Sequence, residues 1–329
     1  DDQMIKCGSF TGDAAGATFT VDVGWEPQWV LTKPVNETNA WQLDDVIRGA
    51  TWACNGSLFP NTNGVESGAK EIEMHSRGFR IDTNPNAQYI YMAIRAPMMK
   101  KPTAATDVFA IDTRGSSAAT ADGVVWHSGF PVDLAIQKNV TGVSSPAAYD
   151  RFRGSYSLFT DTTAAEQNQG GHKFDSMNGF DVRTLSAATN QLAWMWKRAK
   201  GFMDVVAYSG TGSARTVPHS LGVAPEMMWV KSRSHSENWM VYTDTSGANK
   251  YIYLNSASAP NIYNTWNGTA PTDSVFSLSN IDEVNGSGKT YIAYLFATLA
   301  GISKVGSYTG NGSNNHVIDC GFTNGARFV

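Results

Sequence analysis

The stretch Lys70–His75, KEIEMH, sets two carboxylates two residues apart. On an extended strand Glu71 and Glu73 project to one face, as acid–base cleavage of a glycosidic bond requires of its carboxylate pair. No third acid follows, only His75, Ser76 and Arg77, and the related stretch TDSVF (Thr272–Phe276) keeps Asp273 alone. A solvated strand face accounts for these residues better than a hydrolytic groove does. The six histidines, at 75, 127, 172, 219, 235 and 316, have no metal-ligand spacing. Cys54 has no sequence neighbour that would activate a thiolate. Asp44 and Asp45 could join a Ca²⁺ site through loop carbonyls, although the spacing of a helix–loop–helix calcium loop is missing. No other cofactor is indicated.

Aromatic residues carry the remaining chemistry. Trp41, Trp52, Trp239 and Trp266 lie among polar residues in NETNAWQLDD, TWACNGS, SENWMVYTD and NTWNGTAP. Flat rings beside Asn and Asp grip sugars by stacking and hydrogen bonding together. Trp41, Trp239 and Trp266 are therefore candidate glycan contacts. Core packing competes with that reading, most directly for Trp41 and Trp239, which occupy matching places in two parts of the chain.

Those matching places belong to a repeat. GSFTG (Gly8–Gly12), AYSG (Ala207–Gly210) and GSYTG (Gly306–Gly310) each open a Gly-rich turn, a β-type run and a further glycine, at Gly24, Gly222 and Gly321. In the two complete copies a Pro and a Trp-containing apolar strand follow: GWEPQWVLTKP and GVAPEMMWVKS. The spacing places another copy near residue 107, where Asp107–Val140 repeats the order in diverged form. His219, in the turn VPHSLG, has Asp22 and Asp319 as counterparts, which points to a hydrogen-bonding turn residue rather than a catalyst. The expected organisation is 1–106, 107–203 and 204–304 as three units, with 305–329 as the opening strands of a fourth in a chain that continues. A period this long indicates tandem domains rather than a solenoid.

Within each unit, alternation as in ATFTVDV and KYIYLNS, runs apolar on both faces as in QYIYMAIRA, and Asn-Gly turn signals all predict strands. No stretch sustains a helical period. The fold class is all-β, as tandem β-sandwiches. With Lys+Arg 25 against Asp+Glu 29, the net charge of −4 offers no footprint for nucleic acid. The longest apolar run, Tyr291–Ile302, is too short to cross a bilayer and reads as a buried strand. The three cysteines, Cys7, Cys54 and Cys320, are odd in number and form no CxxC pair.

The segment YSGTGSARTVPHSLGVAPEMMWVKSRS, together with DTSGANKYIYLNSA, NGTAPTDSVFSLS and GSGKTYIAYLFA, resembles an uncharacterised family of repeat modules in virion proteins of tailed, especially marine, bacteriophages. The resemblance is closest over Asp204–Ile302. It implies jelly-roll sandwiches of the concanavalin A or laminin-G type and a place on the virion surface, in a tail fibre, spike or other appendage. The partners it implies are other virion proteins, further copies of the chain in a homo-oligomer, and host cell-surface carbohydrate. It supplies no catalytic residues.

Overall fold

The computed structural model describes residues 4–15, 17–48, 56–66, 72–97, 99–114, 125–169, 172–182, 190–323 and 325–329. Glu71, Trp52 and Cys54 lie outside the described residues. The chain divides into two compact units, Asp1–Met98 with Ile111–Leu158 and Glu166–Trp194, and Met99–Ala110 with Phe159–Ala165 and Met195–Val329.

Among the described residues the structure is all-β, with antiparallel sheets that form three sets. The first comprises β1 (Ile5–Thr11), β2 (Thr18–Asp22), β3 (Pro27–Pro34), β4 (Gln42–Asp45), β5 (Ile72–His75), β6 (Gly78–Asp82) and β7 (Gln88–Arg95). They make one sheet of order β1-β7-β3-β4 and another of order β2-β6-β5. The second comprises β8 (Phe109–Arg114), β9 (Trp126–His127), β10 (Leu134–Asn139), β11 (Ala147–Asp150), β12 (Tyr156–Phe159), β13 (Gln167–Asn168), β14 (His172–Lys173), β15 (Gly179–Val182) and β16 (Gln191–Trp196). Their orders are β13-β12-β11-β10-β16-β8 and β14-β15-β9. The third comprises β17 (Met203–Ser209), β18 (Arg215–Pro218), β19 (Met227–Ser232), β20 (Met240–Thr243), β21 (Lys250–Tyr253), β22 (Asn261–Ile262), β23 (Val275–Leu278) and β24 (Thr290–Phe296), with a short helix α1 (Asp282–Asn285) before β24. Its sheets are β17-β24-β19-β20-β21-β22 and β18-β23.

One plan underlies all three: the first long strand pairs with the last, the last with the third, and the third with the fourth. The register is kept as well. Ile5↔Ile94 through Thr11↔Gln88 in the first set matches Met203↔Phe296 through Ser209↔Thr290 in the third. Alternating apolar residues explain why these pairings hold. One face of each strand can leave water only against a second sheet, and a slip of one residue would reverse every side chain. In the third set Val206, Tyr208, Val217, Met228, Val230, Phe276, Leu278, Tyr291 and Leu295 bring both sheets onto one core. Each such side chain contributes about 1.5–3 kcal/mol by its burial. In the first set Phe10 of β1 stacks on Phe19 of β2 at 5.3 Å and on Tyr89 of β7 at 5.0 Å, again joining two sheets.

The turns before β3 and β19, and the matching turn of the last segment, follow the repeat too. Gly24, Gly222 and Gly321 have φ of 91°, 74° and 74°, left-handed values that favour glycine. Two residues earlier Asp22 Oδ1 accepts the Gly24 N–H at 2.7 Å, and Asp319 Oδ1 accepts the Gly321 N–H at 2.7 Å. His219 does the same work with Nδ1, which accepts the Leu221 N–H at 3.2 Å.

The last segment departs from the expectation of opening strands. None of its described residues, 305–323 and 325–329, forms a strand, nor does it pair with an edge of the third set. The reason is pairing. Its counterparts β17 and β18 are strands paired with β24 and β23, and among the described residues no strand pairs with this segment.

Candidate functional site

The loop Val35–Asn39 leaves β3 and turns back toward β4. Lys33 sets its curl: Nζ donates to the carbonyls of Pro34 at 2.7 Å and Glu37 at 3.3 Å. Asn36 Oδ1 accepts the Gln88 N–H at 2.8 Å and so ties the loop to the start of β7. Opposite it, Asn84 lies just before a turn in which Asn86 has a φ of 56°. The Asn84 N–H donates to the Tyr89 hydroxyl at 3.1 Å. Burial pushes that phenol above its ordinary pKa, so it stays neutral.

Glu37 joins the two sides. Its Oε2 accepts Asn39 Nδ2 at 2.9 Å and also Asn84 Nδ2. Val35, Asn36, Glu37, Thr38, Asn39 and Asn84 line an open cavity of about 710 Å³. With one amide donor of each Asn committed to the carboxylate, the two amide oxygens, the second carboxylate oxygen, Asn36 Nδ2 and the Thr38 hydroxyl remain for a ligand. A cup of closely spaced neutral donors and acceptors around one carboxylate suits the vicinal hydroxyls of a sugar.

The residues singled out by sequence fall elsewhere. Trp41 lies two positions beyond Asn39, half-buried, its N–H donating to Asn61 Oδ1 at 2.9 Å. Trp239 and Trp266 are both fully buried. The Trp239 indole donates to the Phe159 carbonyl at 2.9 Å, and the ring stacks on Tyr294 at 6.2 Å. The Trp266 indole donates to the Lys250 carbonyl at 2.9 Å and packs edge-on against Tyr242 at 5.8 Å. Neither offers a face to a sugar. Trp239 and Trp266 are thus core residues and not glycan contacts: the fold packs their rings against Tyr294 and Tyr242 from distant strands, whatever the polarity of their sequence neighbours.

Glu73 is also not where a hydrolase would hold it. Its side chain is fully buried on β5, with Oε2 3.4 Å from both Arg80 Nη1 and His75 Nε2. Arg80 faces it directly across the β5–β6 pair. The solvated face expected for this stretch is therefore corrected to a buried cross-strand charge cluster, which no groove reaches through Glu73. Asp273 is exposed in the loop before β23.

Asp44 and Asp45 are engaged within the protein. Asp44 is buried and accepts Ser57 Oγ at 2.7 Å and Gln42 Nε2 at 3.0 Å. Burial dominates its balance and raises the carboxyl to about 6. Asp45 pairs with Arg48 at 2.7 Å. The calcium expectation thus finds these two carboxylates turned to other partners. Among the described residues no group of three His, Cys, Asp or Glu is placed to hold a metal.

Reading the sequence did not single out Glu37 or Asn84. They are 47 positions apart and meet only through the tertiary fold. The one available signal was the clustering of Asn in NETN and NPNA. No curated protein and no solved structure matches the chain. Residues 4–97 and 107–325 match a family described as a domain of unknown function, DUF7483, and the chain belongs to that family.

Proposed function

We propose that the protein is a non-catalytic structural and recognition protein of a virion surface, in a tail fibre, spike or other appendage of a tailed bacteriophage. In this reading its sandwiches are of the jelly-roll, concanavalin A or laminin-G type. They build a rigid support, assembled with other virion proteins and further copies of the chain, and their loops touch host cell-surface carbohydrate. The observation that carries the recognition part is the Asn36–Glu37–Asn39–Asn84 cup, built on a framework whose counterpart in the third set carries a Glu237–Lys289–Asp282 ion-pair network instead. Repeated scaffolds with diverged loops suit binding, because the strands fix the loop ends while the loop chemistry varies. Trp41, half-buried two residues from the cup, is the one aromatic of the original three that could flank a bound sugar there. The virion setting rests on the sequence resemblance.

Two measurements test the reading. Electron-microscopic reconstruction of the protein in its native assembly is expected to show it in a symmetric appendage; a free monomer never recovered with particles overturns the virion setting. In the intact chain the cup's share of glycan binding is expected to weaken about tenfold in Glu37→Ala and in Asn84→Ala, the loss of one charge-assisted hydrogen-bond group. Wild-type protein that ignores glycans at millimolar concentration overturns the recognition role.

A further inference from the structure

We propose a second sugar-contact surface, on the β21–β22 side of the third set, made by the ring of Tyr263 and the side-chain amides of Asn249 and Asn264. It deepens the carbohydrate part of the reading above and is independent of the virion setting. β22 (Asn261–Ile262) is the last strand of its sheet, and the chain leaves it through Tyr263, which is 55% exposed. This exposure is held in place rather than incidental. The Tyr263 N–H donates to the Asn249 carbonyl at 3.1 Å, and the following turn is bonded by Asn267 N–H to the Asn264 carbonyl at 3.3 Å. Beneath them the buried Trp266 anchors the loop through its indole bond to the Lys250 carbonyl. The tryptophan chosen from sequence is thus the peg, and the tyrosine three residues before it is the presented ring.

The polar groups converge on one glycine. Asn267 and Gly268 both have left-handed φ, 51° and 60°. A Cβ on Gly268 would stand 3.4 Å from Asn249 Oδ1 and 3.7 Å from Asn264 Oδ1. Two amide oxygens therefore lie together against the Cα of Gly268, within contact distance of where a Cβ would stand. No described residue makes a hydrogen bond with either side-chain amide. A flat exposed ring beside two uncommitted amides matches a neutral pyranose, which presents an apolar C–H face to the ring and hydroxyl pairs to the amides. Because backbone bonds and Trp266 already fix the loop, little ordering entropy opposes binding.

The test uses the full chain and calorimetric titration with cellohexaose and maltohexaose, in wild type and in Glu37→Ala, so that the cup and this surface are read separately. Saccharide heat is expected to survive in Glu37→Ala. In that background Tyr263→Ala is expected to weaken it at least about tenfold, Tyr263→Phe to retain it, and Asn249→Ala or Asn264→Ala to reduce it several-fold. Unchanged thermal unfolding checks that Tyr263→Ala, an exposed change, leaves the fold intact. Loss of all saccharide heat in Glu37→Ala overturns this surface and leaves the cup standing. Equal binding by Tyr263→Ala, or no heat with wild type at millimolar saccharide, also overturns it. Self-association lost in Tyr263→Ala without any saccharide response would reassign this edge to protein pairing and overturn the sugar proposal.

Discussion

The loop after β3 and the loop after β19 are built by the same bonds and finished differently. Lys33 Nζ reaches the carbonyls one and four residues on, and Lys231 Nζ does so at Ser232 and His235, 2.8 and 3.4 Å away. Asn36 Oδ1 holds the Gln88 N–H; Ser234 Oγ holds the equivalent Thr290 N–H at 3.1 Å. Trp41 and Trp239 each donate their backbone N–H to an Asn side chain, Asn61 or Asn255, at 2.9 Å. The rims then diverge. Around the first loop Glu37 is gathered by amides and the cup stays open. At the second, Lys289 Nζ sits 3.0 Å from Glu237 and 3.1 Å from Asp282 of α1, which fills the same place with an ion-pair network. The comparison shows that the lysine and the backbone ties keep a loop's shape within this chain, while its chemistry is set by residues arriving from the segment before the last strand.

The largest test of this contrast is at the tryptophans. Trp239→Ala should cost about 3–5 kcal/mol, because a fully buried ring leaves a cavity. Trp41→Ala should cost less, about 1–3 kcal/mol, since its ring is only partly buried. Denaturant midpoints measure both, and equal losses would erase the distinction between a closed and an open loop.

Next comes pH. Asp44 occupies the β4 place that buried Tyr242 takes in β20, so the first set carries a titrating group where the third carries an aromatic. Burial raises its folded pKa to about 6, above the ordinary carboxylate value of 3.8. The stabilising proton is fully bound below about 3.8 and is lost as pH rises through about 6. Stability should therefore fall by on the order of 2–3 kcal/mol across that window. Asp44→Asn should flatten this component of a stability–pH profile. A profile identical in wild type and variant would show that Asp44 keeps its ordinary pKa.

The smallest effect concerns the seal. Lys289→Ala removes a partly exposed ion-pair network and should cost about 0.5–1 kcal/mol. The loss should shrink at high salt. The sharper readout is a crystal structure of the variant: a cavity beside Glu237 would make the two loops alike, whereas a collapsed loop would show that the open cup depends on Asn84 and not merely on the missing lysine.

Much of the architecture was legible because its causes are local or periodic. Alternation in ATFTVDV buries one face of β2, and the apolar run before Phe296 becomes the fully interior β24. The glycine spacing located the turns, since positive φ is cheap only there. His219 was read as a turn residue, and its Nδ1 bond to the Leu221 N–H has the same form as the Asp22 and Asp319 bonds. The candidate site was mostly not legible. Asn and Trp in a polar string look alike whether the string lies over a core or beside it, so Trp266 and Tyr263 could not be ranked from their neighbours.

By itself the sequence determined the all-β class, the repeated strand order and the turn glycines, because hydrophobic period and backbone sterics act within a few residues. Only the tertiary structure decided that Trp239 and Trp266 are buried, that Glu73 is enclosed by Arg80 and His75, and that Glu37 meets Asn84. Those outcomes depend on which loops close over which ring, and on strand registers that join residues tens of positions apart.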